Sequence, residues 1–353
     1  MTARVFDQLP DGRDVHLVEL GEAPGPTLRL LTLGATVHDL EITGGDGVRR
    51  HVALGHGSSA TYLASGDYIG GTIGRYANRI RDGHLPLPDG DHTLGTHDRG
   101  HHLHGGPDGF DRRLWDLLDH DGHEARFGLT SPDGDQGFPG NLDVEVTFTV
   151  TDTSVDIAFT ATTDRTTVVN LTQHAYLNLE GRDAGTIDGH LLRVPAEHYT
   201  PVDAEGIPTG DHAPVDGTPF DLREPQRLGA VLRTDHPQLR DARGIDHNLV
   251  VDPPADAPGD ADGLRTMAVL TAPATRTELV LRSDQPGLQV YTGNFLDGAL
   301  PAVGGGLYRQ GDGIALEPQL FPDSPHHPAW PSAVLEPGER YTARHQWVFR
   351  AAD

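Results

Sequence analysis

Short segments in which apolar and polar residues alternate limit the fold of this chain more than any other feature. The clearest are NLDVEVTFTVT (141–151), SVDIAFTATT (154–163), RTELVLRS (276–283) and LQVYTGNFL (288–296). A period of two places the apolar side chains on one face of a β-strand. Turn-forming runs such as PDG, GGDG and SPDGDQGFPG separate the alternating segments at spacings typical of hairpins. The pattern predicts an all-β fold, a large antiparallel β-sandwich with few short helices.

No composition break divides the chain into two parts. The best helix candidate is short, REPQRLGAVL (223–232), and no long amphipathic helix is predicted. The acidic, proline-rich run VDPPADAPGDADG (251–263) stands between predicted strands, so we interpret it as a long surface loop. The 44 glycines and 27 prolines are spread along all 353 residues. We therefore expect a single domain over residues 1–353.

Composition excludes several kinds of chemistry and partner. The chain has no cysteine, which excludes thiol nucleophiles, thiolate zinc sites and disulfides. All 27 positively charged residues are arginines, so Schiff-base, pyridoxal and P-loop chemistry are excluded as well. A net charge of −25 argues against nucleic acids and anionic membranes as partners. Neither a transmembrane-length apolar run nor a signal-peptide pattern is present, so we expect a cytoplasmic protein.

One alternating segment, NLTQHAYLNL (170–179), differs from the others because both of its faces need an explanation. Leu171, Gln173, Ala175, Leu177 and Leu179 share one face, and Asn170, Thr172, His174, Tyr176 and Asn178 share the other. Every residue of the second face can form hydrogen bonds. The segment is predicted to be a strand whose polar face either lines a groove for a hydroxyl-rich ligand or belongs to an inner polar network.

GRYANRI (74–80) offers donors for such a groove, with Arg75 and Arg79 on either side of Asn78. An arginine in a groove can bind a hydroxyl or carbonyl oxygen through several donors in a fixed fork. The alternative is that each arginine forms a surface salt bridge. Further polar groups stand in GIDHNLVV (244–251), with Asp246, and in QVYTGNFL, with Gln289 and Tyr291 on one face.

A single carboxylate stands out in IALEPQLFPDSP (314–325), where Glu317 follows apolar residues at the predicted end of a strand. Pro318 favours extended backbone at Glu317. Apolar neighbours would raise the pKa of the carboxyl group, the usual adjustment for a general base. The alternative is a glutamate exposed at a strand end.

Two histidine- or aspartate-rich motifs are compatible with metal binding but incomplete. HHLHGG (101–106) contains an H-x-H pair, which would need a carboxylate and a third imidazole from elsewhere. SPDGDQGFPG (131–140) resembles half of a calcium loop but lacks the glutamate at the twelfth position, so we interpret it as a turn. We expect no metal and no cofactor.

Seven segments, taken in order, resemble the aldose 1-epimerase (galactose mutarotase) family. They are GRYANRI, HLHGG with GFDRRLW, SPDGDQGFPGNL, NLTQHAYLNL, DHN, QVYTGNFLDG and LEPQLFPDSP. The resemblance covers most of the chain and implies a galactose mutarotase-like supersandwich with an open sugar-binding cleft. It implies an isomerase that interconverts the α and β anomers of free hexoses such as galactose and glucose. DSPHHPAWPS (323–332) departs from the family pattern, which we expect to alter the cleft rim and sugar preference.

The resemblance also implies roles for eight residues. His174 would be the general acid and Glu317 the general base. The hydroxyl groups of a monosaccharide would be bound by Asn78, Arg79, His104, Tyr176, Asp246 and Gln289.

Three other functions remain open from the sequence. A glycoside hydrolase would need two carboxylates, which Glu317 and Asp246 could supply. A hexose-6-phosphate 1-epimerase would have extra cationic residues at the cleft rim. A non-catalytic sugar-binding protein or sensor would keep the cleft without turnover. The oligomeric state is not predicted.

Overall fold

The structure is a computed structural model that describes residues 3–251 and 262–352. Residues 252–261, most of the segment predicted to be a long surface loop, lie outside the described residues.

Most regular structure in the described chain is β-strand, as the alternation predicts. The first fifteen strands are β1 (Arg4–Gln8), β2 (Asp14–Leu20), β3 (Thr27–Leu31), β4 (Thr36–Thr43), β5 (Arg49–His51), β6 (Thr72–Ile73), β7 (Arg79–Ile80), β8 (His84–Leu87), β9 (Gly90–Thr93), β10 (His102–Leu103), β11 (Asp116–His120), β12 (Glu124–Ser131), β13 (Leu142–Val150), β14 (Ser154–Thr163) and β15 (Thr167–Val168). The others are β16 (Thr172–Gln173), β17 (Tyr176–Leu177), β18 (Leu191–Arg193), β19 (His198–Tyr199), β20 (Ala213–Pro214), β21 (Gln226–Arg227), β22 (Asp246–Val250), β23 (Arg265–Ala272), β24 (Thr277–Ser283), β25 (Gly287–Tyr291), β26 (Asp297–Pro301), β27 (Leu307–Arg309), β28 (Ile314–Gln319), β29 (Val334–Leu335) and β30 (Tyr341–Ala351).

Helices are short throughout the described residues, which also agrees with the sequence. The α-helices are α1 (Ser59–Ala64), α2 (Leu228–Val231) and α3 (Pro237–Ala242). Single 3₁₀ turns span Arg81–Gly83, Phe110–Arg112, Asp135–Gly137, Ile187–Gly189, Pro273–Thr275 and Ser324–His326. The helix predicted at 223–232 is wrong over most of its length, because Gln226 and Arg227 pair with β18 instead. No described helix has the length and apolar character needed to cross a bilayer.

Three sheets hold most of the strands. They have the strand orders β1-β2-β3-β4-β5, β11-β12-β13-β14-β30-β24-β23-β18-β21 and β17-β28-β25-β22-β19-β20. Neighbouring strands within each of these sheets are antiparallel. The predicted large antiparallel β-sandwich is confirmed.

The largest cluster of buried apolar side chains draws on all three sheets. Leu40 of the five-stranded sheet, Phe148 and Phe159 of the nine-stranded sheet, and Leu288 and Leu316 of the six-stranded sheet all belong to it. Burial of each such side chain contributes about 1.5–3 kcal/mol. The apolar faces predicted for 141–151 and 154–163 point into this cluster, with polar residues on the opposite face.

Arg75 is neither a groove residue nor part of a surface salt bridge, the two possibilities that the sequence left open. Its side chain is 1% exposed. The guanidinium group donates to the carbonyl oxygens of Ser131, Pro132 and Pro139 at 2.7, 2.9 and 2.9 Å, and to the hydroxyl group of Ser131 at 2.9 Å. These acceptors belong to SPDGDQGFPG, which forms a turn as predicted. Arg75 therefore joins this turn to the segment that carries Asn78 and Arg79.

Replacement of Arg75 by methionine should lower the free energy of unfolding by about 3 kcal/mol or more, because buried carbonyl groups lose their only charged donor. Urea unfolding followed by circular dichroism measures this change. The control is Arg126→Met, which removes an exposed pair with Glu145 and should cost about 1 kcal/mol or less. Equal losses in the two variants would contradict the structural role of Arg75.

Candidate active site

All eight residues singled out by the sequence line one cleft, which has a volume of about 340 Å³. They are Asn78, Arg79, His104, His174, Tyr176, Asp246, Gln289 and Glu317. Most of them come from β7, β17, β22, β25 and β28 or from residues next to these strands. Chain positions more than 200 residues apart therefore meet at four adjacent strands of the six-stranded sheet, β17, β28, β25 and β22.

His174 and Glu317 lie side by side in the floor of the cleft. Nε2 of His174 is 3.6 Å from Oε1 of Glu317, and the two residues are only 4% and 1% exposed. Glu317 is not at a strand end, as the sequence suggested, but within β28. The strand continues through Pro318, whose carbonyl oxygen accepts a hydrogen bond from the hydroxyl group of Thr172 at 2.9 Å. Glu317 is thus held by strand pairing, opposite Gln289 of β25.

The backbone at His174 leaves the strand that was predicted for residues 170–179. The segment forms two separate pairs of strand residues, β16 and β17, and His174 lies between them. Its N–H group donates to Gly71 O, and its carbonyl oxygen accepts from the N–H group of Gly70, both at 2.9 Å. A Cβ atom at Gly70, where φ is 69°, would lie 2.1 Å from the carbonyl oxygen of Val37. Glycine at position 70 therefore allows the backbone that holds His174 to pack closely against Val37.

The polar face of 170–179 lines the cleft only at its centre. His174 and Tyr176 face the cavity, whereas Asn170, Thr172 and Asn178 are fully buried elsewhere. These three side chains donate to the carbonyl oxygens of Ala77, Pro318 and Gly185 at 3.1, 2.9 and 2.8 Å, respectively. Both interpretations of the face, cleft lining and inner network, are therefore partly right.

Burial shifts the proton affinities of the central pair in opposite directions. Desolvation raises the pKa of Glu317 well above its usual range, and the negative charge of Asp246 adds to this effect. Desolvation lowers the pKa of His174 to about 4. Burial thus favours the neutral form of each group. Oε2 of Glu317 and Nδ1 of His174 are buried and have no hydrogen-bond partner among the described residues.

His104 is fixed as a hydrogen-bond donor by its contact with Asn78. The backbone N–H group of Asn78 donates to Nδ1 of His104 at 3.1 Å, and the N–H group of His104 donates to Asn78 O at 3.1 Å. Because the imidazole is neutral and Nδ1 accepts, this hydrogen-bond geometry assigns the ring hydrogen to Nε2. Both residues adopt left-handed backbone, with φ of 69° at Asn78 and 49° at His104. Non-glycine residues with such values are uncommon and tend to cluster at functional sites.

The same tautomer weakens the case for a metal ion at this site. His104, His174 and Glu317 have potential ligand atoms within 4.8 Å of one another. Nε2 of His104 would have to lose its hydrogen before it could bind a cation, and Nδ1 would then lose its bond to Asn78. The donor set is better suited to sugar hydroxyl groups. The neighbouring His101 and His102 do not line the cleft.

Three predicted hydroxyl-binding residues are held by contacts with other cleft residues. Nε of Arg79 donates to Oδ2 of Asp98 at 2.8 Å. Nε2 of Gln289 donates to Oδ1 of Asp246 at 2.7 Å, and Oε1 of Gln289 is buried without a partner among the described residues. These contacts leave further polar atoms of each side chain for a ligand.

Tyr176 contributes its ring rather than its hydroxyl group to the cleft. The hydroxyl group donates to the carbonyl oxygen of Asp67 at 2.9 Å. The ring lies 5.0 Å from that of His174, measured between centroids. The ring of Tyr176 therefore packs beside the imidazole of His174 and lines the cleft there.

The sequence analysis did not select several other residues that line the cleft. They are Gly66, Asp67, Tyr68, Asp98, Arg99, Leu103 and Phe295; Tyr291, which the sequence analysis named together with Gln289, lines the cleft as well. The ring of Tyr68 lies 4.6 Å from that of His104 and 5.9 Å from that of His174. Tyr291 shares the alternation of Gln289, so the sequence did carry a signal for it; Asp98 and Arg99 lie in a loop without periodicity.

The segment 323–332 is not among the residues that line the cleft, so the effect of its unusual sequence on sugar preference stays a prediction and would be indirect. Trp330 instead stacks on His327, with centroids 3.9 Å apart, and packs against Phe321. Asp323 contributes indirectly, because its N–H group donates to the carbonyl oxygen of Arg79 at 2.8 Å.

Comparison with known proteins shows the family to which this chain belongs. Residues 16–347 match the family model described as aldose 1-epimerase. The chain is 36% identical over 345 residues to aldose 1-epimerase of Escherichia coli K12, with 97% of each chain covered. It is 37% identical to human galactose mutarotase, with 97% of this chain and 96% of the human protein covered.

Solved structures agree with the sequence relatives. A GalM/aldose epimerase homologue from C. elegans superposes with a TM-score of 0.87 at 28% identity, covering 96% of this chain and 100% of that one. Galactose 1-epimerase from Lactobacillus acidophilus NCFM gives a TM-score of 0.84 at 27% identity, with 100% and 99% covered. This chain belongs to the aldose 1-epimerase family, a family of isomerases.

Proposed function

We propose that the protein interconverts the α and β anomers of free aldoses such as galactose and glucose, with His174 and Glu317 as its acid–base pair. The observation that carries the proposal is the 3.6 Å approach of Nε2 of His174 to Oε1 of Glu317 in the cleft floor. Membership of the aldose 1-epimerase family supports the same reaction.

Ring opening requires two proton transfers. The Glu317 carboxylate takes the proton of the anomeric hydroxyl group as the bond between C1 and the ring oxygen breaks. Protonated His174 gives its proton to the ring oxygen, which leaves as a hydroxyl group, and C1 becomes the carbonyl carbon of the open chain. After rotation about the C1–C2 bond, the hydroxyl group adds to the other carbonyl face. Glu317 returns its proton to the carbonyl oxygen, and His174 recovers its own.

The pair therefore holds one proton throughout the cycle. With the cyclic sugar bound, the carboxylate is ionised and the imidazole is charged; with the open-chain sugar bound, both are neutral. Burial favours the neutral state, as the directions of both pKa shifts indicate. Without sugar, the shared proton therefore lies on Glu317, and it must pass to His174, 3.6 Å away, to form the ionised pair from which ring opening starts.

The surrounding residues are proposed to orient the sugar. Nε2–H of His104 and the guanidinium group of Arg79 are donors, and Asp246 provides a carboxylate acceptor. Asn78 and Gln289 each offer amide groups, and Tyr176 packs beside His174. Hydroxyl groups of a pyranose both donate and accept, which suits this mixed set.

A hydrolase is less well supported by the contacts of Glu317. Glycoside hydrolysis uses two carboxyl groups that flank the scissile bond. Asp246 lines the same cleft and its charge raises the pKa of Glu317, but the ion-pair contact of Glu317, at 3.6 Å, is with the imidazole of His174.

We further propose one domain, since one cluster of buried side chains draws on all three large sheets. Cytoplasmic residence and the absence of a nucleic-acid partner stay predictions from the sequence.

Replacement of either member of the pair should abolish most of the activity. Glu317→Gln and His174→Asn each remove one proton transfer, and each should lower kcat by about 10²–10⁴-fold. Polarimetry of freshly dissolved α-D-glucose and α-D-galactose measures the rate. The exposed substitutions Glu224→Gln and His123→Asn change the same residue types outside the cleft and should leave the rate unchanged.

The outcomes separate the candidate functions. If the wild-type protein relaxes both sugars only at the uncatalysed rate while binding them, the sensor function replaces the enzyme. Release of the chromophore from a nitrophenyl glycoside would indicate a hydrolase instead.

The dependence of kcat/KM on pH should reflect the single shared proton. Below neutral pH, the pair becomes inactive only when it binds a second proton. The lowered pKa of His174 indicates that this protonation occurs at about pH 4. Activity should therefore stay level down to about pH 5 and fall below that. On the alkaline side it should fall where the pair loses its proton, and the raised pKa of Glu317 moves that limit upward.

Polarimetry from pH 4 to 9, with circular dichroism to verify that the protein stays folded, tests this profile. Loss of activity near pH 6.5, the value for a solvated histidine, would contradict a buried pair.

A further inference from the structure

Asp98 is a charged residue of the cleft to which the anomer exchange assigns no role. We propose that Asp98 makes the cleft selective for uncharged aldoses by holding both of its arginines, Arg79 and Arg99, and that loss of its charge admits aldose phosphates. This inference rests on the proposed function, because it concerns the substrate class of the same cleft.

Asp98 contacts one arginine with each of its carboxylate oxygens. Oδ2 accepts from Nε of Arg79 at 2.8 Å, and Oδ1 lies 3.6 Å from Nε of Arg99. These are the two arginines among the lining residues. Burial lowers the pKa of His104 and of His174, so neither of the two lining histidines carries a permanent charge. Among the described lining residues, the two permanent cations, Arg79 and Arg99, therefore both pair with the carboxylate of Asp98.

The backbone fixes Asp98 and Arg99 at the rim. Asp98 and His101 exchange hydrogen bonds across a two-residue turn, with N···O distances of 2.7 and 3.1 Å. Positive φ values of 49° at Arg99 and 88° at Gly100 match a type I′ turn, the form that suits a tight hairpin. Nδ1 of His101 accepts a hydrogen bond from the N–H group of Asp82 at 3.0 Å, and this bond joins the turn to the segment that carries Asp82.

Arg79 is confined on its other side as well. A Cβ atom at Gly206 would lie 3.0 to 3.3 Å from three atoms of the guanidinium group. The group therefore lies between Asp98 and the backbone of Gly206. We expect it to stay in the cleft when the charge of Asp98 is removed.

The charges of the lining oppose an anionic substrate. The carboxyl groups of Asp67, Asp98 and Asp246 line the cleft together with Arg79 and Arg99, while the raised pKa of Glu317 favours its neutral form. A phosphate group carries about −1.5 to −2 charges at neutral pH, and its binding requires cations that are not already neutralised. A phosphate remote from C1 would lie away from the reacting pair, and the cations of the lining that it could meet are the exposed Arg99 and the buried Arg79, both of which pair with Asp98.

The test compares D-glucose with D-glucose 6-phosphate in the wild type and in Asp98→Asn. Anomeric exchange is measured for both sugars by magnetisation-transfer NMR at 20 mM and 300 mM salt. The ratio of kcat/KM for the phosphate to that for glucose should rise about tenfold or more in Asp98→Asn, and the rise should shrink at high salt. Asp98→Glu, which keeps the charge, should retain the low wild-type ratio.

A matched variant separates pairing from overall charge. Asp241 is exposed and lines a small adjoining pocket with Arg99, so Asp241→Asn removes the same charge near the rim. It should leave the ratio unchanged. In Asp98→Asn/Arg99→Gln, the gain should fall again, because one released cation is lost.

The proposal is overturned if Asp98→Asn lowers turnover of both sugars equally, or if Asp241→Asn raises the ratio as much. Asp98→Ser carries the same expectation should the asparagine variant fail to fold. Failure of the wild type to catalyse exchange of glucose would instead overturn the proposed function.

Discussion

Two titratable groups, His174 and Glu317, lie 3.6 Å apart in the cleft floor and are shielded from water. A buried carboxylate and a buried imidazolium both lose solvation, so burial favours the neutral form of each. For His174, the lowering of the pKa from 6.5 to about 4 corresponds to about 3 kcal/mol in favour of the neutral ring. The rest of the fold must offset the free energy that is lost when these two groups are desolvated.

Different parts of the chain supply that support. Glu317 is held by strand pairing within the six-stranded sheet, whereas His174 is held at a break between strands by Gly70 and Gly71. His104 and Asn78 fix each other through two backbone contacts and left-handed geometry. Rigid positioning of this kind suits a reaction in which two protons move in opposite directions at nearby atoms.

Much of this arrangement could be predicted from the sequence, because the alternation of strands such as 141–151 and 154–163 is a local property. The resemblance of seven segments, in order, to the aldose 1-epimerase family identified eight residues that meet in one cleft. Other features depend on tertiary contacts. Neither the strand break at His174 nor the continuation of β28 through Pro318 can be derived from local preferences. Asp98 and Arg99 stand in a turn whose position over the cleft depends on distant elements.

The protonation state of His174 in the folded protein tests directly whether desolvation favours the neutral form of the buried pair. Nitrogen-15 NMR of histidine-labelled protein, with the signal assigned by comparison with His174→Asn, follows the ring through a titration from pH 8 to pH 4. In the absence of sugar, we expect the imidazole to stay neutral until the pH approaches about 4. A ring that becomes charged near pH 6.5, as in water, would contradict the claim that desolvation controls the pair.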